Sequence, residues 1–366
     1  MVKRIAAMLA LVLLLTGCST DQRILDRLGM VQTAAFDSTE GGKLLVTASI
    51  PVIDPNTEEH REILQAETDS VKEARLVFSR QTDLRVVSGQ MRELLFGMDL
   101  AEKGLWKYVE TQLRDPSVGF SVKLTIVDGK AGELLAAEHK PHADTGRYIT
   151  HLLEKEASGN NIPATTLYEF SRDYNDDGID VIAPIVSDGS DKVRVSGIAL
   201  FAGDRMVMRV PVKEGLIFAL CRGKLKRGEA ALDLEGQSGK REVAVFSSVT
   251  SKRKVKVHRL PDGRFKVDLY VSLQGSVLDY TGQRTLKEEA DRHELEKEVA
   301  LSIEDKAEQL IRQMQQKKTD ALGLGQYVRN SLSYKAWEDM DWREMYPEVE
   351  VKCHAKVKIK DYGKYM

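Results

Sequence analysis

From Arg264 to the C-terminus the sequence changes its period twice, and that succession restricts the fold more than any other feature. In "RFKVDLYVSLQ", Phe265, Val267, Leu269, Val271 and Leu273 alternate with Lys266, Asp268, Tyr270, Ser272 and Gln274. Alternation of this kind describes a strand with one buried and one wet face. From Thr285 to Lys317 the period lengthens, and Leu286, Ala290, Val299, Ile303, Ala307, Leu310, Ile311 and Met314 share one stripe among charged positions. That is an amphipathic helix, about 50 Å long at 1.5 Å per residue. "VEVKCHAKVKIKDYG" then alternates again, with Val349, Val351, Cys353, Ala355, Val357 and Ile359 on one side and lysines, Glu350 and His354 on the other. The expectation is a C-terminal antiparallel sheet backed by one long helix, within an α+β, multidomain chain.

Two hairpins precede the helix. "KVRVSGIALF" and "MVMRV" flank the turn Ala202-Gly203-Asp204-Arg205, and "KVKVH" and "RFKVDLYVSLQ" flank Leu260-Pro261-Asp262-Gly263. The change of character at Lys192 sets the main boundary, dividing an N-terminal α/β region, 18–191, with room for two subdomains, from a C-terminal domain, 192–366. In the first region "KLLVTASIPVI" and "VGFSVKLTIVDG" read as strands and "GKAGELLAAE" as the start of a helix. Between Ser70 and about Leu113 the pattern is helical, Ala74, Val77 and Phe78 recurring at helical spacing, as do Met91, Leu94 and Leu95.

The N-terminus carries a different signal. Lys3 and Arg4 precede an apolar run from Ile5 to Leu15, about 16 Å long as a helix and too short for a hydrocarbon core of roughly 30 Å. A basic start, a short apolar run and small residues at the cut describe an export signal over residues 1–17. Leu15-Thr16-Gly17-Cys18 looks like the bacterial lipobox, so Cys18 is expected to be lipidated and to tether the chain to a membrane. The formal net charge of -2 over 366 residues argues against a nucleic-acid binder. Hydrophobic residues at 42% and charged residues at 30% fit a globular body. Cys221 and Cys353 read as two buried thiols rather than a disulfide.

A search for chemistry assigns no catalytic, cofactor-binding or metal residue. Asp173, Asn175, Asp177 and Gly178 in "DYNDDGID" match half of a calcium loop, but loop position twelve is Pro184, so a turn is expected. "EHKPHADTGRYITH" gathers His139, His142 and His151 with Glu138 and Asp144 at no familiar ligand spacing, and solvated histidines are expected. His293 lacks a second histidine four residues on, where Lys297 stands. One basic run, "SKRKVKVHR", suits either anionic headgroups or an exposed edge strand, and the edge strand is the preferred reading.

The tail "QQKKTDALGLGQYVRNSLSYKAWEDMDWREMYPEVEVKCHAKVKI" resembles the C-terminal signature of the Ger(x)C family, the lipoprotein C subunits of nutrient germinant receptors in endospore-forming bacteria. Lys317, Asp320, Gly323, Gly325, Trp337, Trp342, Tyr346 and Pro347 carry that likeness. Gly197, Ala199, Phe201 and Glu214, and earlier Ala101, Gly104, Arg114 and Gly129, match further family positions in the same order. Two departures stand out: Ser19, Thr20 and Asp21 follow Cys18 where the family commonly has a tryptophan, and Asp115-Pro116 follows Arg114. The resemblance implies a non-catalytic subunit of three α/β domains without a cofactor. Its lipid would hold it on the outer face of the spore inner membrane, beside membrane-embedded partner subunits of the A and B type. The tryptophans and glycines read as determinants of the fold. A lipid-anchored solute-binding protein feeding a transporter is the other class considered.

Overall fold

The computed structural model describes residues 27–362 apart from 53–56, 58–59, 140–141, 143, 160–161, 190–191, 224, 226–227 and 236–240. The leader and Cys18 lie outside the described residues. The first part of the chain forms β1 (Leu28–Met30), β2 (Thr33–Ser38), β3 (Leu44–Pro51), β4 (Arg61–Thr68), α1 (Val71–Phe78), β5 (Arg85–Val87), β6 (Glu93–Gly97), α2 (Met98–Lys103) and α3 (Trp106–Leu113). There follow β7 (Lys123–Val127), α4 (Ala131–Ala136), α5 (Thr145–Ser158), α6 (Leu167–Tyr174), β8 (Ile182–Asp188), β9 (Val193–Ala202), β10 (Arg205–Pro211) and α7 (Gly215–Arg222). The last part forms β11 (Ala230–Glu235), β12 (Arg241–Arg259), β13 (Phe265–Tyr280), α8 (Glu289–Gln316), α9 (Leu324–Asn330), α10 (Tyr334–Glu338), α11 (Trp342–Met345) and β14 (Glu350–Asp361).

The described strands gather into an eight-stranded sheet in the order β10-β9-β8-β7-β6-β2-β3-β4, a four-stranded sheet β11-β12-β13-β14, and the small pair β1-β5. In the large sheet β2, β6, β7 and β8 are mutually parallel, and antiparallel strands extend both sides. Its centre is covered on both faces. Ala35, Leu95, Val127 and Val186 point into one apolar core, and their neighbours Phe36, Leu94, Phe96, Ile126 and Ile185 into the other. The first of these cores continues into the C-terminal sheet and its long helix.

That double burial explains why the helix expected around Met91, Leu94 and Leu95 is instead the strand β6. A short run buried on both faces has no polar alternation, and its apolar spacing then imitates a helix. The hairpin β9-β10 forms as expected, but β9 pairs antiparallel with β8 and completes the large sheet. The boundary placed at 191/192 therefore falls between two neighbouring strands of one sheet.

In the C-terminal sheet the hairpin β12-β13 forms as expected, and so does the helix α8 from Val299 onward; it begins only at Glu289, so Leu286 precedes it, and Ala290 is exposed at its first turn. The direction of β14 does not follow the expectation of an antiparallel tail, because β14 lies parallel to β13. The chain leaves β13, returns along α8, and so re-enters the sheet in the direction in which it left; alternation reports which face is buried and is blind to strand direction. The outer edge of β14 is closed by α8, whose Glu296, Glu304 and Glu308 carboxylates accept the N–H groups of Ile359 (2.8 Å), Ala355 (2.8 Å) and Cys353 (3.3 Å). Carboxylates in those positions deny the edge to another strand.

Candidate functional site

The signature residues of the tail converge on one carboxylate. Asp320 follows the end of α8 and is 2% exposed. Its Oδ1 accepts the Leu324 N–H (3.0 Å), and its Oδ2 accepts the Gly325 N–H (2.6 Å) and the Trp342 indole N–H (3.1 Å). Gly325 permits this closeness, since a Cβ there would lie 2.4 Å from Trp342 Nε1. Gly323 opens α9 with φ +67°, a left-handed conformation that favours glycine. Trp337, Trp342 and Tyr346 pack beside it as tilted ring pairs at centroid separations of 5.9 and 5.6 Å.

Asp320 also binds the knot to the large sheet. Its N–H donates to Asp180 Oδ2 (2.7 Å), its carbonyl accepts the Asp180 N–H (3.0 Å), and Asp180 Oδ1 accepts from Gly203 N (3.1 Å) and Arg343 Nη2 (2.8 Å). The Thr319 hydroxyl donates to the Phe201 carbonyl at 2.6 Å. Burial pushes Asp320 up to about 6, the N–H groups of Gly325 and Leu324 and the indole opposing it and the charge of Asp180 adding to it. Burial likewise raises Asp180, against the pull of Arg343. Two neighbouring carboxylates are thus held in the interior by donors, and the oxygens of Asp320 already accept three hydrogen bonds. That arrangement joins segments of the chain.

"DYNDDGID" makes the turn expected of it and belongs to the same joint. Asp176 accepts the Gly178 N–H (3.0 Å), the Gln326 side chain (2.8 Å) and Arg329 (2.8 Å), while Gly178 O accepts the Gln326 N–H (3.0 Å). Among the described residues no group of three or more His, Cys, Asp or Glu is placed to hold a metal ion. A polar cleft of about 350 Å³ opens on the joint, edged by Tyr174, Asp177, Lys318, Glu338, Asp341 and Arg343. A second cavity of about 240 Å³, walled by Ile162, Ile198 and Phe218, reaches a buried ion cluster in which Asp173 accepts from Arg172 (2.6 Å) and Arg222 (2.9 Å).

The remaining signature residues are dispersed and structural. Ala101, Ala199 and Phe201 are fully buried, and Arg114 sits exposed at the end of α3 in a pair with Glu110 (2.7 Å). Gly104 gives room to Asp204, which accepts the Trp106 N–H (3.1 Å) and so ties α3 to the β9-β10 turn. Cys221 and Cys353 are free, buried and close enough to share a hydrogen bond; that contact and burial push the Cys221 thiol well above its usual value. The expectation of solvated histidines fails for His139, which is 2% exposed with its ring nitrogens 3.3 Å from Thr145 Oγ1 and 3.4 Å from Asp188 Oδ1. His142 stacks on Tyr148 at 3.9 Å, and His151 is exposed.

Several residues of the joint escaped the sequence reading. Arg343 and Arg329 carry no local pattern, and their partners Asp180 and Asp176, within "DYNDDGID", lie more than a hundred positions away. Glu93 was also missed: a glutamate inside "ELLFG" is fully buried in the middle of the large sheet.

Comparison with known proteins adds the following. Residues 21–188 match the family model described as spore germination protein N-terminal domain, and residues 196–363 match the one described as spore germination B3/GerAC like, C-terminal. The chain is 28% identical over 361 residues to the spore germination protein GerQC of Bacillus cereus, covering 99% of each chain. The crystal structure of the GerBC protein has a similar fold, with a TM-score of 0.55 and 16% identity over 92% of this chain and 100% of that one. No helix among the described residues is long and apolar enough to cross a membrane.

Proposed function

The chain belongs to the GerAC-like family of spore germination proteins, and on that premise we propose that it is the lipid-anchored, non-catalytic C subunit of a nutrient germinant receptor. In this reading an acyl group on Cys18 holds it at the outer face of the spore inner membrane, and it acts through contact with the membrane-embedded A and B type subunits. The observation that carries the reading is the pair of family matches, in order, across nearly the whole chain, together with a relative of the same length named as a spore germination protein. The geometry supports a structural role for Asp320, whose carboxylate takes the N–H groups of Leu324 and Gly325 and the Trp342 indole. The family itself is one of germination proteins and not a known enzyme class.

The test is a spore germination assay on a strain lacking the chain, across several nutrients beside a non-nutrient trigger. Loss of response to one nutrient class with the other trigger intact is the expected result, and a full set of normal nutrient responses in a strain without other receptors refutes the reading. Cys18→Ala tests the anchor separately: after a high-salt wash, which releases electrostatically held protein, the variant chain is expected in the soluble fraction, and unchanged membrane retention under that wash rules the anchor out.

A further inference from the structure

The basic run of the sequence is one of three neighbouring strands that together make a single charged face. The register places Lys252, Lys254, Lys256 and His258 of β12 opposite Ser272, Tyr270, Asp268 and Lys266 of β13. Those in turn stand opposite Lys356, His354, Lys352 and Glu350 of β14, and Gln274 opposite Lys358. The other face of the same strands, Phe265, Val267, Leu269, Val271 and Leu273, is the core. Seven lysines against Asp268 and Glu350 therefore share one open sheet face in a chain whose net charge is -2. At about 6.7 Å per two residues and about 4.8 Å between strands, the charged rows extend over about 27 by 10 Å.

Protection of an open edge accounts for only part of this. β11 pairs with β12 only as far as Phe246, so the later half of β12 has an open outer side among the described strands, and Lys252, Lys254 and Lys256 suit an edge there. Lys266 sits on an interior strand, and Lys352, Lys356 and Lys358 sit on β14, whose edge the carboxylates of α8 already close. Lys352 reaches Glu308 (3.0 Å), Lys358 reaches Glu296 (3.3 Å) and Lys266 reaches Glu350 (3.1 Å). Lys252, Lys254 and Lys356 are exposed and make no salt bridge among the described residues, and Lys256 lies 5.3 Å over the Tyr270 ring. Among these rows Tyr270 is the one aromatic side chain besides the histidines. Protein interfaces are depleted of lysine and enriched in aromatic residues at their centres, which this face is not. Ammonium groups on flexible stems, spread over a flat area, suit a diffuse anionic plane better than a fixed constellation of acceptors.

We propose that the open face of the β12-β13-β14 sheet docks on the anionic headgroups of a lipid bilayer, so that the C-terminal half lies against the membrane. This rests on the membrane-anchored reading only for where the surface is found, since the face should bind anionic vesicles without any acyl group. The test uses the full chain carrying Cys18→Ser, which cannot be acylated, and sedimentation with vesicles of phosphatidylcholine alone or mixed with phosphatidylglycerol. Its partner is the same chain with Lys252→Gln, Lys254→Gln and Lys356→Gln, three exposed positions whose change leaves the core untouched; any contribution of the leader is common to both and cancels. The expected loss on anionic vesicles is about fivefold per lysine, the ~1 kcal/mol each supplies near such a surface, or on the order of a hundredfold for three. Added salt should remove the difference. Equal binding of the two chains, or no preference of the parent for anionic vesicles, overturns the proposal. Capture on immobilised polyglutamate without any preference for anionic vesicles assigns the face to an acidic protein and overturns it too. Failure of the anchor would appear instead as membrane retention of Cys18→Ala that equals the parent's after a high-salt wash.

Discussion

Replacing Glu93 by glutamine should stabilise the protein, by an amount set by pH. Glu93 is 0% exposed at the start of β6, between β2 and β7, with an apolar core on each side of the sheet. Its partners are hydroxyls: Thr125 donates to Oε1 at 2.6 Å, and Thr150 lies 3.4 Å from Oε2 while donating to Gly146 O at 3.1 Å. Burial raises its pKa from 4.5 to about 7, with Thr125 and the charge of Lys123 pulling the other way. A carboxyl whose folded pKa lies above its unfolded value holds its proton more tightly when folded. Stability is therefore lost as pH rises through about 4.5 and the loss saturates above about 7. At 1.36 kcal/mol per unit the full loss is about 3 kcal/mol. Glutamine occupies the same volume without the charge, accepts from Thr125, and donates to the Thr150 hydroxyl, which can still donate to Gly146. Urea unfolding of Glu93→Gln and parent at pH 4 and pH 8.5 should show near-equal stability at the lower pH and a gain of about 3 kcal/mol for the variant at the higher one. A variant that is less stable at pH 8.5, or a difference that does not change with pH, would refute the reasoning, since either result means that the carboxylate is compensated by a partner or by solvent.

The joint around Asp320 makes further predictions. Gly325→Ala drives a Cβ to 2.4 Å from Trp342 Nε1, and an overpacked site of this kind costs about 1–3 kcal/mol; denaturation followed by tryptophan fluorescence should show that loss together with a changed native spectrum. Arg222→Ala removes a buried guanidinium from Asp173 and should cost about 3 kcal/mol, read as a shift in urea midpoint, whereas an unchanged midpoint would mean that Arg172 alone satisfies Asp173. Cys221 and Cys353, both 0% exposed, should resist a thiol-labelling reagent until the protein unfolds, and rapid labelling of the native chain would contradict their burial.

Where the chemistry of a segment is local, the sequence alone determined the outcome. The alternation of Phe265 to Gln274 and of Val349 to Lys360, the stripe from Val299 to Met314 and the turn at Pro261-Asp262-Gly263 all form as read, because side-chain direction follows backbone period without help from distant residues. Family membership was legible for a related reason: its signature is a string of glycines, tryptophans and one aspartate in fixed order. What those residues do was not legible. Asp320 matters through Asp180, and Asp176 through Arg329, contacts between residues 140 and 153 positions apart. Strand direction escaped for the same reason, since β14 owes its parallel pairing to the path through α8. Glu93-Leu94-Leu95-Phe96-Gly97 became a strand because two cores enclose it, a condition no window of sequence contains. Only the tertiary structure, by setting three alternating strands side by side, turned scattered lysines into one face. Periodicity is a property of a segment, whereas burial of a charge, the sense of a strand and the sign of a surface belong to what the fold places next to it.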